Sequence, residues 1–331
     1  MKYIVISFLL LLLLSALSLL LGQYEISLTT LGDYLSYKLG LGGSKDDFAL
    51  VENILLNIRL PRILLAVLIG SALATSGAVF QAMFVNPLVS PGILGVLAGA
   101  SFGAALGMLV SEHWLVVQIL AFVFGFVAVG FAVLVGSMVG NSKIMLVLGG
   151  VISASLFTSL LSIIKYLADP YSTLPAIVYF LLGSLSMAEL NGVLLIAVPM
   201  LFSIVFMISM GKYYDLLSLG DDEAKALGVN TTLIKALSIL VATLASSLSV
   251  VMAGIIGWIG LIIPHIIRMA IGPSHKLLLP LSAIVGGIFL LLADSLSRVA
   301  FSVEVPLGIL TSLIGIPIFI VVLKKGKSAW N

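Results

Sequence analysis

Few residues in this sequence could carry out chemistry, and their spacing excludes most kinds of active site. There is no cysteine, and the three histidines, His113, His265 and His275, lie far apart from one another. Thiol catalysis and thiolate metal sites are therefore excluded, and a histidine-based site is disfavoured. No phosphate-binding loop of the form G-x-x-x-x-G-K-[ST] is present. We expect no catalytic residue, no metal site and no cofactor in this chain. If ATP and Mg drive this protein, another chain must bind them.

The charged residues are concentrated in one segment, residues 211–230, GKYYDLLSLGDDEAKALGVN, which we call the polar island. Neither residues 190–210 nor residues 236–267 contain any Asp, Glu, Lys or Arg. Within the polar island, Asp221 is expected to cap a short helix, with Asp222 and Glu223 at its positive end and Gly228 as its stop.

The short helix predicted in the polar island has apolar side chains with nothing obvious in the same chain to cover them. These are Leu216, Leu217, Leu219, Ala224, Leu227 and Val229. Because a helix of about two turns is marginal in water by itself, a groove on a partner protein is the favoured cover. The alternative is an ordinary solvated loop.

The composition indicates the elements that must position these residues. Of 331 residues, 61% are hydrophobic and only 9% are charged, whereas soluble domains contain about 25% charged residues. Uncharged runs long enough to cross a bilayer as a helix recur throughout, and roughly 20 residues suffice. A β-barrel would instead show short alternating segments. The fold class is therefore all-α, a polytopic membrane protein forming a single domain over residues 1–331.

The pattern of charges, prolines and polar turns predicts ten transmembrane spans. A short re-entrant or half-helix is expected between spans 5 and 6, in residues 167–190, and the longest polar connection is residues 22–58. The predicted spans are residues 3–21, 61–84, 92–110, 114–138, 144–166, 192–209, 232–252, 254–267, 278–297 and 307–323.

The distribution of lysine and arginine predicts the orientation. The first 22 residues could also be a signal peptide, but their apolar run is long and lacks a clear A-x-A site, which favours a retained span. With the N-terminus inside, ten of the sixteen lysines and arginines fall on the cytoplasmic side. The positive-inside rule therefore predicts cytoplasmic termini, a cytoplasmic polar island and an external loop at residues 22–58.

Small residues recur every four positions in spans 2 and 3. Span 3 contains Gly95, Gly99, Gly103 and Gly107, and span 2 contains Ala66, Gly70, Ala74 and Ala78. Such faces allow close helix packing within a membrane, which is the favoured interpretation. A pore-lining role is the alternative.

Asp294 is the one carboxylate that lies clearly inside a predicted span. Arg298 follows one helical turn later, at a spacing suited to an ion pair. Because ion-driven transporters usually keep ionisable groups at mid-membrane, this single, near-terminal residue disfavours a secondary transporter but leaves it as the alternative from a different class.

Several long motifs resemble the membrane subunits of FecCD-type ABC importers, the permeases for iron–siderophores, haem and cobalamin. The resemblance covers nearly the whole chain in the same order. Its motifs are RLPR (59–62), GSALATSGAVFQAMFVNPLVSPGILG (70–95), GIIGWIGLIIPHIIR (254–268), LLLADSLSR (290–298) and VPLGILTSLIGIPIF (305–319).

The resemblance implies a homodimer of ten-span subunits in the cell membrane, with two cytoplasmic ABC ATPase subunits and an extracytoplasmic substrate-binding protein. It implies that the polar island contains the coupling helices that contact the ATPase, with Asp222-Glu223-Ala224 and Gly228 approximating the importer pattern E-A-A-x-x-x-G. The expected coupling residues are Leu217, Leu219, Gly220, Asp221, Asp222, Glu223, Ala224, Leu227 and Gly228.

Two further sets of residues are assigned by the same resemblance. The expected residues for docking the binding protein are Arg59, Arg62 and Arg298, because guanidinium groups are well suited to bind carboxylates. The alternative is that these arginines anchor the ends of the spans to lipid headgroups. The expected cytoplasmic gate consists of Asn86, Pro87, Leu88, Asn141 and Ser142.

The expected function is therefore the permease subunit of an ATP-binding-cassette importer for a metal chelate, and not an enzyme. Iron(III)–siderophore is the expected substrate, and cobalamin and haem are the alternatives within the family. No nucleic acid partner is expected, because the net charge is only +2.

Overall fold

The computed structural model of the chain describes residues 2–41, 45–140, 142–300 and 303–326, and every regular element in these ranges is helical. The helices are α1 (Lys2–Leu20), α2 (Leu28–Lys38), α3 (Lys45–Glu52), α4 (Leu60–Phe84), α5 (Val96–Val110), α6 (Trp114–Val139), α7 (Lys143–Leu167), α8 (Thr173–Leu182), α9 (Leu190–Ser209), α10 (Gly211–Leu217), α11 (Asp221–Ala226), α12 (Thr231–Ala253), α13 (Ile259–Ile271), α14 (His275–Val299) and α15 (Leu307–Gly326).

Each of the ten predicted spans corresponds to a helix. Seven helical segments in the described ranges are long and apolar enough to cross a membrane: α1, residues 48–84, α6, α7, α9, α12 and α14. The spans predicted at 92–110, 254–267 and 307–323 correspond to the shorter apolar helices α5, α13 and α15. The half-helix expected in residues 167–190 is α8, with ten residues.

Helix α4 is the centre of the bundle, and glycines bring its backbone against two neighbours. A Cβ atom built on Gly70 would lie 2.2 Å from the carbonyl oxygen of Gly286 in α14. A Cβ atom on Gly77 would lie 1.8 Å from the carbonyl oxygen of Gly260 in α13. Only glycine permits such an approach, so α4, α13 and α14 are in direct backbone contact.

The four-residue glycine pattern of α5 serves the same purpose. A Cβ atom on Gly99 or Gly103 would lie 2.3 or 2.2 Å from a carbonyl oxygen of α6. A Cβ atom on Gly107 would lie 2.6 Å from the Cα of Val117, at the other end of the same interface. The interpretation of this face as a packing surface is confirmed.

The long connection between the first two spans is folded. Its α2, α3 and a π-helical segment (Asn53–Arg59) enclose a small apolar cluster of Ile26, Tyr34, Val51, Ile54 and Leu55. The π-helical segment continues directly into α4, so the connection leads α4 into the bundle without a break.

Candidate functional site

The polar island forms two short helices that lie against the bundle. In α10, Tyr214 and Leu217 are fully buried, and the Tyr214 hydroxyl lies 3.0 Å from Ser238 Oγ of α12. Burial raises the pKa of Tyr214 to about 12, so its hydroxyl is neutral at physiological pH. Asp215 accepts a hydrogen bond from the backbone N–H of His275 at 2.7 Å, which attaches α10 to the first residue of α14.

The second helix of the polar island, α11, is delimited by glycines. Gly220 has φ +128° and is the N-cap, and Gly228 has φ +82°. The N–H groups of Gly228 and Val229 donate to the carbonyl oxygens of Lys225 and Ala224, which is the Schellman arrangement that ends a helix at glycine. The predicted stop at Gly228 is therefore confirmed.

The prediction that Asp221 caps α11 is wrong. Asp221 is the first helical residue, and its carboxylate points to two lysines of other helices. Oδ1 lies 3.2 Å from Lys143 Nζ at the start of α7, and Oδ2 forms an ion pair with Lys235 of α12. Burial by itself would raise the pKa of Asp221, but the ammonium groups of Lys235 and Lys143 outweigh this, so the pKa lies below its usual value.

The expectation that nothing in the chain covers the apolar side of α11 is only partly right. Leu217 and Ala224 are fully buried and Val229 is 8% exposed, so the bundle covers these three. Leu219 and Leu227, in contrast, are 62% and 61% exposed. They flank α11, beside the exposed Asp222 and Glu223, and give the polar island a small apolar surface of its own.

The residues expected to form a gate lie at the same end of the bundle. Asn86 Oδ1 accepts a hydrogen bond from the Leu88 backbone N–H at 2.9 Å, which closes a tight turn around Pro87. Val85, just before this turn, has φ +51°, an unusual value for a β-branched residue. Ser142 caps α7 by accepting from the Met145 N–H at 3.2 Å, whereas Asn141 lies outside the described residues.

The three arginines expected to dock a partner lie together at the opposite end, but all are buried. Arg62 donates to Asp294 Oδ1 at 2.7 Å and to Glu304 at 2.9 Å. Arg298 Nε lies 3.0 Å from Asp294 Oδ2, so the predicted pair one helical turn apart is confirmed. Asp294 is 0% exposed, and the two arginines are each 5% exposed.

Arg59, only 3% exposed, differs from the other two arginines in its partners. Its guanidinium donates to the backbone oxygens of Leu19 and Tyr24, and no carboxylate of the described residues lies within ion-pair distance. Because Leu19 belongs to the last turn of α1, the cation faces the negative end of that helix. Arg298 also donates to this region, at the Leu21 oxygen, so both arginines attach α1 to the bundle.

The sequence did not reveal three of the charged partners. Glu304 pairs with Arg62 across 242 positions, and Lys143 and Lys235 converge on Asp221. The predicted topology placed Lys143, Asp221 and Lys235 on one side of the membrane, so an ion pair among them could have been proposed from the sequence. No comparable signal distinguished Glu304 from a solvated acid.

The chain is similar to known proteins over nearly its whole length. The model of the FecCD transport family matches residues 10–325. The molybdate import system permease protein MolB of Haemophilus influenzae is 37% identical over 321 residues, which cover 96% of this chain and 94% of the relative. The hemin transport system permease protein HmuU of Yersinia pestis is 34% identical, covering 81% of this chain and 82% of the relative.

A solved structure agrees over almost the whole fold. It is described as an inward-facing conformation of a metal-chelate type ABC transporter, and it superimposes with a TM-score of 0.88 at 35% identity, covering 98% of this chain and 99% of its own. The chain belongs to the FecCD transport family, whose members are membrane permease subunits of ABC transporters.

Proposed function

We propose that two copies of this chain form the transmembrane path of an ATP-driven importer, with two ATPase subunits at the polar island and a substrate-binding protein at the opposite end. The observation that carries this proposal is the exposed apolar surface of Leu219 and Leu227, which flank α11 of the polar island. The island and both termini lie in the cytoplasm in this arrangement, consistent with the excess of lysine at that end.

ATP hydrolysis on the partner subunits drives the transport cycle in this proposal. The ATPase subunits bind the inward- and outward-open states with different affinity, which shifts the population between them. The turn at Asn86, Pro87 and Leu88 and the start of α7 at Ser142 form the cytoplasmic gate. Lys143, next to Ser142 at the start of α7, pairs with Asp221 of α11 at 3.2 Å, so movement of α11 can reach that segment directly.

The substrate is proposed to be an iron(III)–siderophore. Relatives named for iron chelatin, hemin and Fe(3+)-citrate transport support an iron chelate. Molybdate is the second candidate, because the relative that is 37% identical over nearly the whole chain is named for molybdate import. The ligand bound by the partner binding protein distinguishes the two.

The Leu219→Asp, Leu227→Asp double variant is expected to lose its ATPase subunit during purification. Both side chains are more than half exposed, so the change removes apolar docking surface without removing core contacts. Truncating central apolar anchors of an interface commonly costs about 2 kcal/mol or more each. Co-purification from membranes, followed by ATP-driven uptake in vesicles, measures the effect.

Leu39→Asp is the matched control, because Leu39 is also well exposed but lies at the end of α2, far from the polar island. It should retain the ATPase. The proposal fails if the double variant retains the ATPase as firmly as Leu39→Asp does. It also fails if the chain alone, without an ATPase, carries out uptake driven by an ion gradient.

Docking of the binding protein is proposed at Arg59, Arg62 and Arg298. The guanidinium of Arg62 is already neutralised by Asp294 and Glu304, and that of Arg298 by Asp294. The guanidinium of Arg59, in contrast, has no carboxylate partner among the described residues. It lies directly beneath Gly22, so a partner carboxylate can reach it only if the turn that contains Gly22 moves.

Arg59→Gln is expected to weaken binding of the substrate-binding protein roughly 10- to 100-fold, the effect of losing one charge-assisted hydrogen bond. Surface plasmon resonance on the chain reconstituted in nanodiscs measures the affinity. Lys38→Gln, which removes an exposed cation at the same end that is paired with Glu52 at 2.6 Å, should leave the affinity unchanged. An unaltered affinity for a folded Arg59→Gln protein contradicts docking at this residue.

A further inference from the structure

A cavity of about 740 Å³ lies between α6, α7 and α12, with the end of α4 as its floor. It begins beside the polar island and extends along α12 from Thr231 to Thr243. At 1.5 Å per residue this is about 18 Å, close to half of the roughly 30 Å hydrocarbon thickness of a bilayer. The cavity therefore has the length of one leaflet.

The end of the cavity beside the polar island is cationic. Lys143, Lys225 and Lys235 line it together with a single carboxylate, Asp221. Three lysines against one aspartate leave an excess of two positive charges. Asp221 binds Lys143 and Lys235 from one side, and the pair of Lys225 with Asp222 is exposed and weak, at 3.4 Å. The ammonium groups thus keep donors for a further anion.

The remainder of the cavity is mainly apolar and opens onto the outer surface of the bundle. Apolar side chains of two helices line it from opposite sides: Phe126, Val129 and Val133 of α6, and Ile239 and Leu240 of α12. Val133 is 39% and Leu240 is 54% exposed, so the groove is accessible from the hydrocarbon of the membrane. Cationic and apolar groups are therefore separated along the membrane normal.

We infer that this cavity is a binding site for an anionic phospholipid of the leaflet on the polar-island side. The lipid phosphate lies among Lys143, Lys225 and Lys235, and one acyl chain occupies the groove between α6 and α12. Basic pockets between transmembrane helices bind anionic headgroups in this manner, and each lysine near the surface contributes about a fivefold affinity. The site rests on the membrane-spanning fold alone and does not depend on the identity of the imported substrate.

The length and polarity of the cavity favour a lipid over a free anion. A phosphate ion would use only the lysines and leave the apolar groove empty. A second copy of the chain would cover the apolar surface but would bring no defined anion to the lysines. The lipid is the occupant that satisfies both halves of the cavity at once.

Native mass spectrometry of the full-length chain tests the site. The protein, purified in detergent and delipidated, is mixed with phosphatidylglycerol and phosphatidylcholine of identical acyl chains. The wild type is expected to retain phosphatidylglycerol in preference to phosphatidylcholine. The Lys143→Gln, Lys235→Gln variant should lose roughly 25-fold in that preference, about fivefold for each lysine. Lys212→Gln, which removes an exposed lysine of the same end outside the cavity, should behave as the wild type.

A second variant separates lipid from free anion without changing a charge. Gly130 lines the groove, and a Cβ atom there meets nothing within 4 Å, so Gly130→Phe fills the acyl-chain space without a clash at that atom. Loss of phosphatidylglycerol from this variant, at an unchanged melting temperature, supports the lipid site. Retention by Gly130→Phe together with displacement by inorganic phosphate identifies a free-anion site and overturns the proposal. Equal retention of the two lipids by the wild type also overturns it.

Discussion

Gly77→Ala is expected to reduce the yield of folded protein severely. The added Cβ atom would lie 1.8 Å from the carbonyl oxygen of Gly260 and 2.6 Å from its Cα. Because both atoms belong to the backbone of α13, no change of rotamer relieves the overlap, and α4 and α13 must separate. Overpacking a tight interior typically lowers the free energy of unfolding by about 1–3 kcal/mol, and occasionally by more. Because this clash is between two backbones, we expect a loss at the upper end of that range or beyond it.

Gly130→Ala is the matched control for Gly77→Ala. It is the same change in the middle of another spanning helix, α6, but its Cβ atom meets nothing within 4 Å. Since alanine has the higher helix propensity, this variant should keep or slightly raise the melting temperature. Size-exclusion chromatography of detergent extracts and thermal unfolding measure both variants. Equal melting temperatures would show that the contact between Gly77 and Gly260 does not limit packing.

Asp294→Ala is expected to destabilise the chain by about 3–5 kcal/mol, the cost of leaving a buried charge without its partner. Asp294 is 0% exposed and contacts the guanidinium groups of Arg62 and Arg298 at 2.7 and 3.0 Å. Among the described residues, Glu304 alone would remain to neutralise the two cations, and its ion pair is with Arg62. Glu304→Gln, at a carboxylate that is 33% exposed, should cost clearly less free energy of unfolding.

An apolar replacement of Asp294 and its two arginine partners separates their structural role from docking, since the remaining Glu304 is 33% exposed and stays in contact with water. Exchanging a buried ion set for apolar residues of similar volume is often neutral for stability, so Asp294→Leu combined with Arg62→Met and Arg298→Met should restore the melting temperature lost in Asp294→Ala. If Arg62 and Arg298 contribute to docking beside Arg59, this restored protein binds the substrate-binding protein more weakly than the wild type does. A folded triple variant with normal affinity would limit the cluster to a structural role.

The helices could be predicted from the sequence because the membrane imposes simple rules. Uncharged runs, and the prolines that divide them, located α4 and α5 to within a few residues. The glycine spacing of α5 predicted close helix packing, but the structure was needed to identify α6 as the neighbour. These signals are local, because the length of an uncharged run and the spacing of its glycines can each be seen within one segment of the chain.

The charged contacts could not be predicted in the same way. An arginine at the end of a span has the same sequence signature whether it faces lipid headgroups, a partner protein or a buried carboxylate. Arg62 is buried because Asp294 and Glu304, 232 and 242 positions away, fold against it. Asp221 resembled a helix cap for a similar reason, since its two lysine partners are visible only after α7 and α12 have packed beside it.

The double ion pair of Asp221 has a mechanical consequence. One carboxylate joins α11 to the first residue of α7 and to α12, so a force applied to α11 stretches both pairs at once. Either the two helices are pulled in the same direction, or one pair ruptures. These ion pairs are partly buried and act beside the packing of Ala224 into the bundle, so added salt weakens the transmission only in part. The lowered pKa of Asp221 keeps the connection intact at neutral pH, and acid breaks it only as the pH falls through that pKa.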